Sequence, residues 1–306
     1  TDAWAIRSLA LNRVGRYGEA IASALRALEL DSDNVRARAF LAQSYADIGN
    51  TERARSEIER ALTVDPNNVE ARYINGQLKW NVDYAFEDAV AELTQAYEAS
   101  GLTYIGVALS EMYFSSFINQ PQEGLAVLND ILARNPENTA VLYQLGRYYF
   151  RTLGDANQAI PILTRCINAD AQSIACHYEL GRAQERLERR DEARLSFEKA
   201  VELGTENPYH FWWAGEMELA VLGDCTAAMR YFEQGYTILL ADIERGIERF
   251  NTLDGLRTLR QNYDDSMAPC TAFNPLPVTQ PNAETTAEPI IESGVAQPTP
   301  DPNANQ

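Results

Sequence analysis

Residues 34–66 read NVRARAFLAQSYADIGNTERARSEIERALTVDP. In the second half Ala54, Ile58 and Ala61 are spaced by four and then three, which puts them on one face of a helix. Ala42 lies twelve residues before Ala54 and is small enough to let an earlier helix come close. Gly49 between them is a turn former, and Asp65-Pro66 closes the stretch because proline cannot continue a helix. The segment reads as helix, tight turn, helix, stop.

The same order recurs in both directions. Ala20, Ala54, Ala89, Gly124, Ala159, Ala193 and Ala228 follow one another at steps of 34 or 35 residues. Four residues after each comes a mostly bulky apolar series: Ala24, Ile58, Leu93, Leu128, Leu163, Phe197 and Phe232. Three further on stand Ala27, Ala61, Ala96, Ile131, Cys166, Ala200 and Gly235. Upstream runs a small-residue series of Ser8, Ala42, Gly76, Gly146, Gly181 and Gly215, with Gly15, Gly154 and Gly223 as further turn formers. The fourth unit departs from this register. Counting back from Gly124 puts Met112 at the close-contact site and Glu111 where leucine is expected. Its first helix, around Ile105–Phe117, is therefore expected to be shifted or lengthened.

Seven consecutive units at one period resemble the tetratricopeptide repeat family over roughly residues 1–240. The residues that carry the resemblance are Trp4, Gly15, Tyr17, Ala20 and Ala27 in the first unit. In the second they are Leu41, Ala42, Tyr45, Gly49, Ala54, Ala61 and Pro66; later units keep Leu145, Gly146 and Tyr149, then Leu180, Gly181, Ala193, Phe197 and Ala200. The resemblance implies an all-α, right-handed solenoid of about seven helical hairpins, each burying its apolar face on its neighbours. It also implies action by binding other proteins. The last repeat helix is expected to run on through Ile243, Ile247 and Phe250, and a short helix, Leu253–Tyr263, to close the stack. Residues 241–270 thus form a helical extension and cap.

In this family the first helices of successive repeats line a concave groove. The stripe implied here includes Tyr73, Gln77 and Trp80, then Tyr143, Arg147, Phe150 and Arg151. Tyr178, Arg182 and Arg186 follow, and Tyr209, Trp212 and Glu216 continue it. Rings of this kind stack on prolines, and guanidinium forks pair with carboxylates. The competing reading is a solvated face on which the arginines pair with Glu179, Glu185 and Glu188 along their own helices.

The cysteines are Cys166, Cys176, Cys225 and Cys270, with no C-x-x-C pair and no histidines at zinc-finger spacing. In an oxidising compartment they read as disulfides; the alternative is four reduced thiols. Register sets Cys166 and Cys176 on neighbouring helices. A bond between Cys225 and Cys270 would fasten the closing helix and fix where the tail departs.

After Cys270 the composition changes. Residues 271–306 hold seven prolines, from Pro275 to Pro302, four acidic groups and no Lys or Arg. A segment so poor in large apolar groups does not offset its ordering entropy alone, so it reads as an extended tail. Pro289, Ile290 and Ile291, between Glu288 and Glu292, are the expected tail contacts. They suit a groove of rings and arginines, in this chain or in a second copy laid beside it.

A net charge of −18 excludes the basic footprint that nucleic acid requires and disfavours anionic lipid. No run is long enough to insert in a membrane. The chain lacks a nucleophile elbow, a P-loop, a dinucleotide fingerprint and a His-Glu-x-x-His pair, so it is not read as an enzyme. No cofactor is expected. Asp31-Ser32-Asp33-Asn34 and Asp264-Asp265 offer the oxygen ligands that a structural Ca²⁺ takes, but neither follows the twelve-residue calcium loop, and helix capping accounts for the first. The expected partner is protein, including the chain itself as a homopolymer through its tail, in an extracellular or cell-envelope setting. The alternative is an envelope adaptor that holds a client peptide in its groove.

Overall fold

The computed structural model describes residues 1–244 and 253–271, and over these the chain is all-helical. Seven hairpins follow one another. They pair α1 (Asp2–Arg13) with α2 (Tyr17–Leu30), α3 (Val35–Asp47) with α4 (Thr51–Val64), and α5 (Val69–Leu78) with α6 (Phe86–Ser100). The next are α7 (Thr103–Phe114) with α8 (Pro121–Arg134), α9 (Thr139–Arg147) with α10 (Ala156–Ala169), and α11 (Ile174–Arg186) with α12 (Arg190–Glu202). The last pairs α13 (Pro208–Leu222) with α14 (Cys225–Glu244), and α15 (Leu253–Thr271) lies against both. The closing helix is longer than expected, running past Tyr263 to Thr271. Ile247, Phe250 and the tail residues Pro289, Ile290 and Ile291 lie outside the described residues.

Local chemistry sets the helix starts. Asn34, Asn50, Asn68, Asn138 and Asp155 each accept a hydrogen bond from the backbone N–H three residues on, satisfying a donor that the helix leaves orphaned. The helical faces then bury what the periodicity marked: Ala54, Ala61, Leu93, Leu163, Phe197 and Phe232 are all inaccessible to solvent or nearly so. The small residues of the first helices are needed for the approach. A methyl group on Gly181 would lie 2.8 Å from the Phe197 ring.

Two first helices finish in a π turn, Lys79–Asp83 after α5 and Tyr148–Thr152 after α9. Each inserts a residue between the small residue and the next alanine, which is why Gly76–Ala89 and Gly146–Ala159 span thirteen residues where Ala42–Ala54 spans twelve.

The fourth repeat corrects the sequence register. Counted from the helix start, Ser110 holds the eighth position that Ala42, Gly76, Gly146, Gly181 and Gly215 hold in theirs. Ser110 is fully buried and Leu109 precedes it, as leucine precedes Ala42, Gly146 and Gly181. Met112 and Glu111 therefore do not occupy the contact and leucine sites. The helix is shifted rather than lengthened: it ends at Phe114, and a longer connection to Pro121 takes up the difference. The Phe114 ring lies over Gly124, where a methyl group would come within 2.6 Å of it, so this repeat has glycine where the others have alanine.

Cys166 and Cys176 form a disulfide between α10 and α11, with Cα atoms 6.2 Å apart; Cys225 and Cys270 join α14 to α15 at 5.4 Å. Tyr263 of α15 is wholly buried, set edge-on to Phe232, and donates its hydroxyl hydrogen bond to the Pro208 carbonyl. Burial holds its phenol far above the usual range.

Candidate functional site

First helices present equivalent residues at their fifth and ninth positions, one turn apart on the same face. These are Tyr73 and Gln77 on α5, Tyr143 and Arg147 on α9, Tyr178 and Arg182 on α11, and Trp212 and Glu216 on α13. The stacking of repeats five to seven brings several of these together. A cavity of about 590 Å³ is lined by Tyr143, Arg147, Arg151, Tyr178, Glu179, Arg182, Tyr209 and His210, with Ile174, Ala175 and Asn207. Six of the thirteen residues expected in the groove meet there: Tyr143, Arg147, Arg151, Tyr178, Arg182 and Tyr209.

The three arginines are held differently. Arg151, on the π turn, sets its guanidinium fork on Glu179, with Nε 3.0 Å from Oε1 and from Oε2 and Nη2 2.8 Å from Oε1. The Glu179 side chain is 3% exposed. Burial opposes the charge of Arg151, but the hydrogen bonds and the charge of Glu179 outweigh it and raise its pKa. Arg147 lies over the Tyr143 ring at 5.5 Å and reaches Glu111 only at 3.5 Å. Arg182 stacks on Trp213 at 4.4 Å and donates to the Tyr178 hydroxyl at 3.3 Å. Its Nε is buried with no acceptor, and no carboxylate pairs with it among the described residues. Cation–π contact steadies such a charge without neutralising it.

The remaining walls are neutral donors and rings. Burial raises the phenols of Tyr143 and Tyr209, which keeps both as hydroxyls at neutral pH. His210 is buried, pairs Nδ1 with Thr205 Oγ1 at 2.8 Å and stacks on Tyr178 at 4.1 Å. Burial lowers its pKa to about 4. The site is thus a ring-lined recess with excess positive charge, set in a chain of net −18.

Other expected groove residues lie elsewhere. Arg186 is exposed and outside the cavity. Trp212 turns away and donates Nε1 to Ser266 Oγ of α15 at 3.0 Å. Trp80 packs edge-on to Phe86 and Phe117 at the turn end of the third repeat. Tyr73 lines a separate recess of about 220 Å³ with Gln43, Asp47, Gln77 and Asn81. Arg151 does pair with Glu179, but between repeats and not along one helix, and neither Arg182 nor Arg186 pairs with Glu185 or Glu188 among the described residues. The stacking of Trp213 on Arg182 was not anticipated, nor was the pairing of Glu179 with an arginine of the preceding repeat. The available signal was the doubled Trp212-Trp213, since adjacent rings on a helix face different neighbours.

Among the described residues no three His, Cys, Asp or Glu side chains are gathered as metal ligands. Asn34 accepts from the Ala37 amide at 2.9 Å, and Asp31 accepts from the Asp33 amide at 3.2 Å. No helix is long and apolar enough to cross a membrane among these residues.

Tetratricopeptide repeat profiles match residues 11–78, 140–173 and 174–203. The chain is a tetratricopeptide repeat protein. Solved structures of similar fold include yeast Tom70, with a TM-score of 0.64 and 17% identity over 82% of this chain and 50% of that one. The APC/C hetero-tetramer Cut9–Hcn1 matches at 0.61 and 14% identity, over 88% of this chain and 49% of that one. A tetratricopeptide repeat protein from Parabacteroides merdae matches at 0.59 and 12% identity, over 86% and 98%. This tetratricopeptide repeat chain spans about half the length of the first two. At such identities the likeness is one of fold alone. No curated protein matches the sequence.

Proposed function

We propose that this tetratricopeptide repeat protein is a non-enzymatic scaffold whose concave cavity takes an extended protein segment bearing carboxylates and prolines. The observation that carries the reading is Arg182, a guanidinium held between Trp213 and the Tyr178 hydroxyl with no carboxylate of its own. An incoming carboxylate would complete the fork, and the Tyr143, Tyr178 and Tyr209 rings give prolines a surface to stack on. Arg151 is already committed to Glu179, so it shapes the recess rather than waiting for a ligand.

The chain carries a segment of this chemistry itself. Residues 271–306 combine prolines with Glu284, Glu288, Glu292 and Asp301 and hold no basic group. We therefore take the tail of a second copy as the occupant, with Pro289, Ile290 and Ile291 as its contacts. A head-to-tail contact that does not close on itself propagates as a filament. Both cysteine pairs are disulfide-bonded, which supports an extracellular or cell-envelope setting.

Light scattering and electron microscopy on the full chain and on residues 1–271 test this. Assemblies that vanish with the tail support self-assembly. Monomers in both cases overturn it and leave an adaptor for another protein's segment.

A further inference from the structure

Of the three non-glycine residues at positive φ among the described residues, Tyr84 is the one that carries a ring. It follows the π turn Lys79–Asp83 with φ +55°, in the turn position that Gly15, Gly49, Gly154 and Gly223 fill in four other hairpins and Asn119 and Glu188 in the remaining two. A bulky side chain is disfavoured in that left-handed conformation, and glycine is not. Tyr84 is 71% exposed, so core packing does not compensate for the strain. Such strain, persisting beside a π turn, points to a contact made by the ring itself.

The ring does not stand alone. Tyr84 is edge-on to Phe86 at 6.3 Å, Phe86 stacks on Phe117 at 4.2 Å, and Trp80 closes on both. Phe117, from the connection between α7 and α8, is 63% exposed. The four rings make one aromatic ridge along the turn edge of repeats three and four, and none of them lines the arginine cavity. The two stretches that supply them, 80–88 and 115–123, contain Asp83, Glu87, Asp88 and Glu123 and no Lys or Arg. Asp83 is taken by Arg55. Glu87, Asp88 and Glu123 are exposed and make no ion pair among the described residues.

We infer that this ridge is a second docking surface, for a protein segment carrying arginines. Guanidinium groups lie on the exposed faces of Tyr84 and Phe117, where the ring quadrupole attracts them, and the three carboxylates answer their charge. The acidic tail does not belong here, because those carboxylates repel it. The surface is independent of the cavity reading.

The test uses the full chain and a labelled twelve-residue peptide with four arginines spaced by glycine and serine. Binding is followed by anisotropy, beside peptides with proline or glutamate in place of arginine. The arginine peptide is expected to bind, and Tyr84→Gly to weaken it at least fivefold while the urea midpoint stays equal or rises. Phe117→Ser and a triple Glu87→Gln, Asp88→Asn, Glu123→Gln variant weaken it likewise, and Arg182→Ala leaves it unchanged. Tyr84→Gly keeps the net charge, so unchanged affinity in that variant would mean diffuse attraction to an acidic protein and would overturn the inference. A proline peptide that binds as well would do the same, as would a ridge that only joins two copies of the chain.

Discussion

Arg151 grips Glu179 across a repeat boundary, its fork closed on a carboxylate that is 3% exposed. The contact ties the π turn after α9 to the middle of α11, so the cavity wall is braced by the same ion pair that fixes the spacing of repeats five and six. Removing one partner of such a pair strands the other. Arg151→Ala should lower stability by about 1–3 kcal/mol, the range for a broken buried pair reduced because the arginine itself is partly exposed. Replacing both residues with methionine should recover most of that loss. Urea midpoints of the single and double variants check this, and an unchanged midpoint for Arg151→Ala would show the pair to be idle.

His210 makes the fold sensitive to acid. Its folded pKa, about 4, lies below the ordinary histidine value of 6.5, so between these the unfolded chain binds the extra proton. Its contribution is complete above pH 6.5, falls as the pH drops toward 4 and is flat below. The total is up to about 3 kcal/mol. Midpoints measured from pH 7.5 to pH 4 should decline more steeply for the wild type than for His210→Phe. Parallel curves would remove His210 from the account of acid sensitivity.

Glycine to alanine should change sign along the chain. At Gly181 a methyl group meets the buried Phe197 ring at 2.8–3.0 Å. The overpacking, about 1–3 kcal/mol, exceeds the helix-propensity gain of about 1 kcal/mol, so Gly181→Ala destabilises. Exposed Gly18 in α2 has nothing within 4 Å, so Gly18→Ala gains a few tenths of a kcal/mol, up to about 1. Thermal melts of the two variants give the comparison.

Reduction should act mostly at one end. Cys225–Cys270 encloses nearly all of α15, including the buried Tyr263, whereas Cys166–Cys176 spans ten residues between adjacent helices. Opening the longer loop releases more chain entropy, about 3–4 kcal/mol by the loop-closure relation. Amide exchange after reduction should therefore rise first in α15. Uniform loosening would place the disulfides' effect elsewhere.

The repeat was legible because hairpin packing demands small and bulky residues at fixed steps, and those steps survive in the spacing of Ala20, Ala54 and Ala89. The fourth unit was misread for a physical reason: counting back from Gly124 crosses a connection of variable length, whereas counting forward from the helix start reaches Ser110. The family resemblance, laid on helical register, put Tyr143, Arg147, Tyr178 and Arg182 on one stripe, and in the structure all four line one cavity. Trp80 and Trp212 were expected on the same stripe, but Trp80 packs on Phe86 and Phe117 and Trp212 donates to Ser266 of the closing helix, neighbours that the repeat period does not encode. Arg151–Glu179 joins residues 28 apart in different repeats, and no local pattern encodes that pair.

The most direct measurement is a titration of a labelled peptide of residues 272–306 into residues 1–271, with and without Arg182→Ala. A charge-assisted fork is worth about 1.5–3 kcal/mol, so saturable, salt-sensitive binding that Arg182→Ala weakens at least tenfold is expected. Absent binding, or equal affinity in the variant, would be incompatible with a cavity that takes the tail through Arg182.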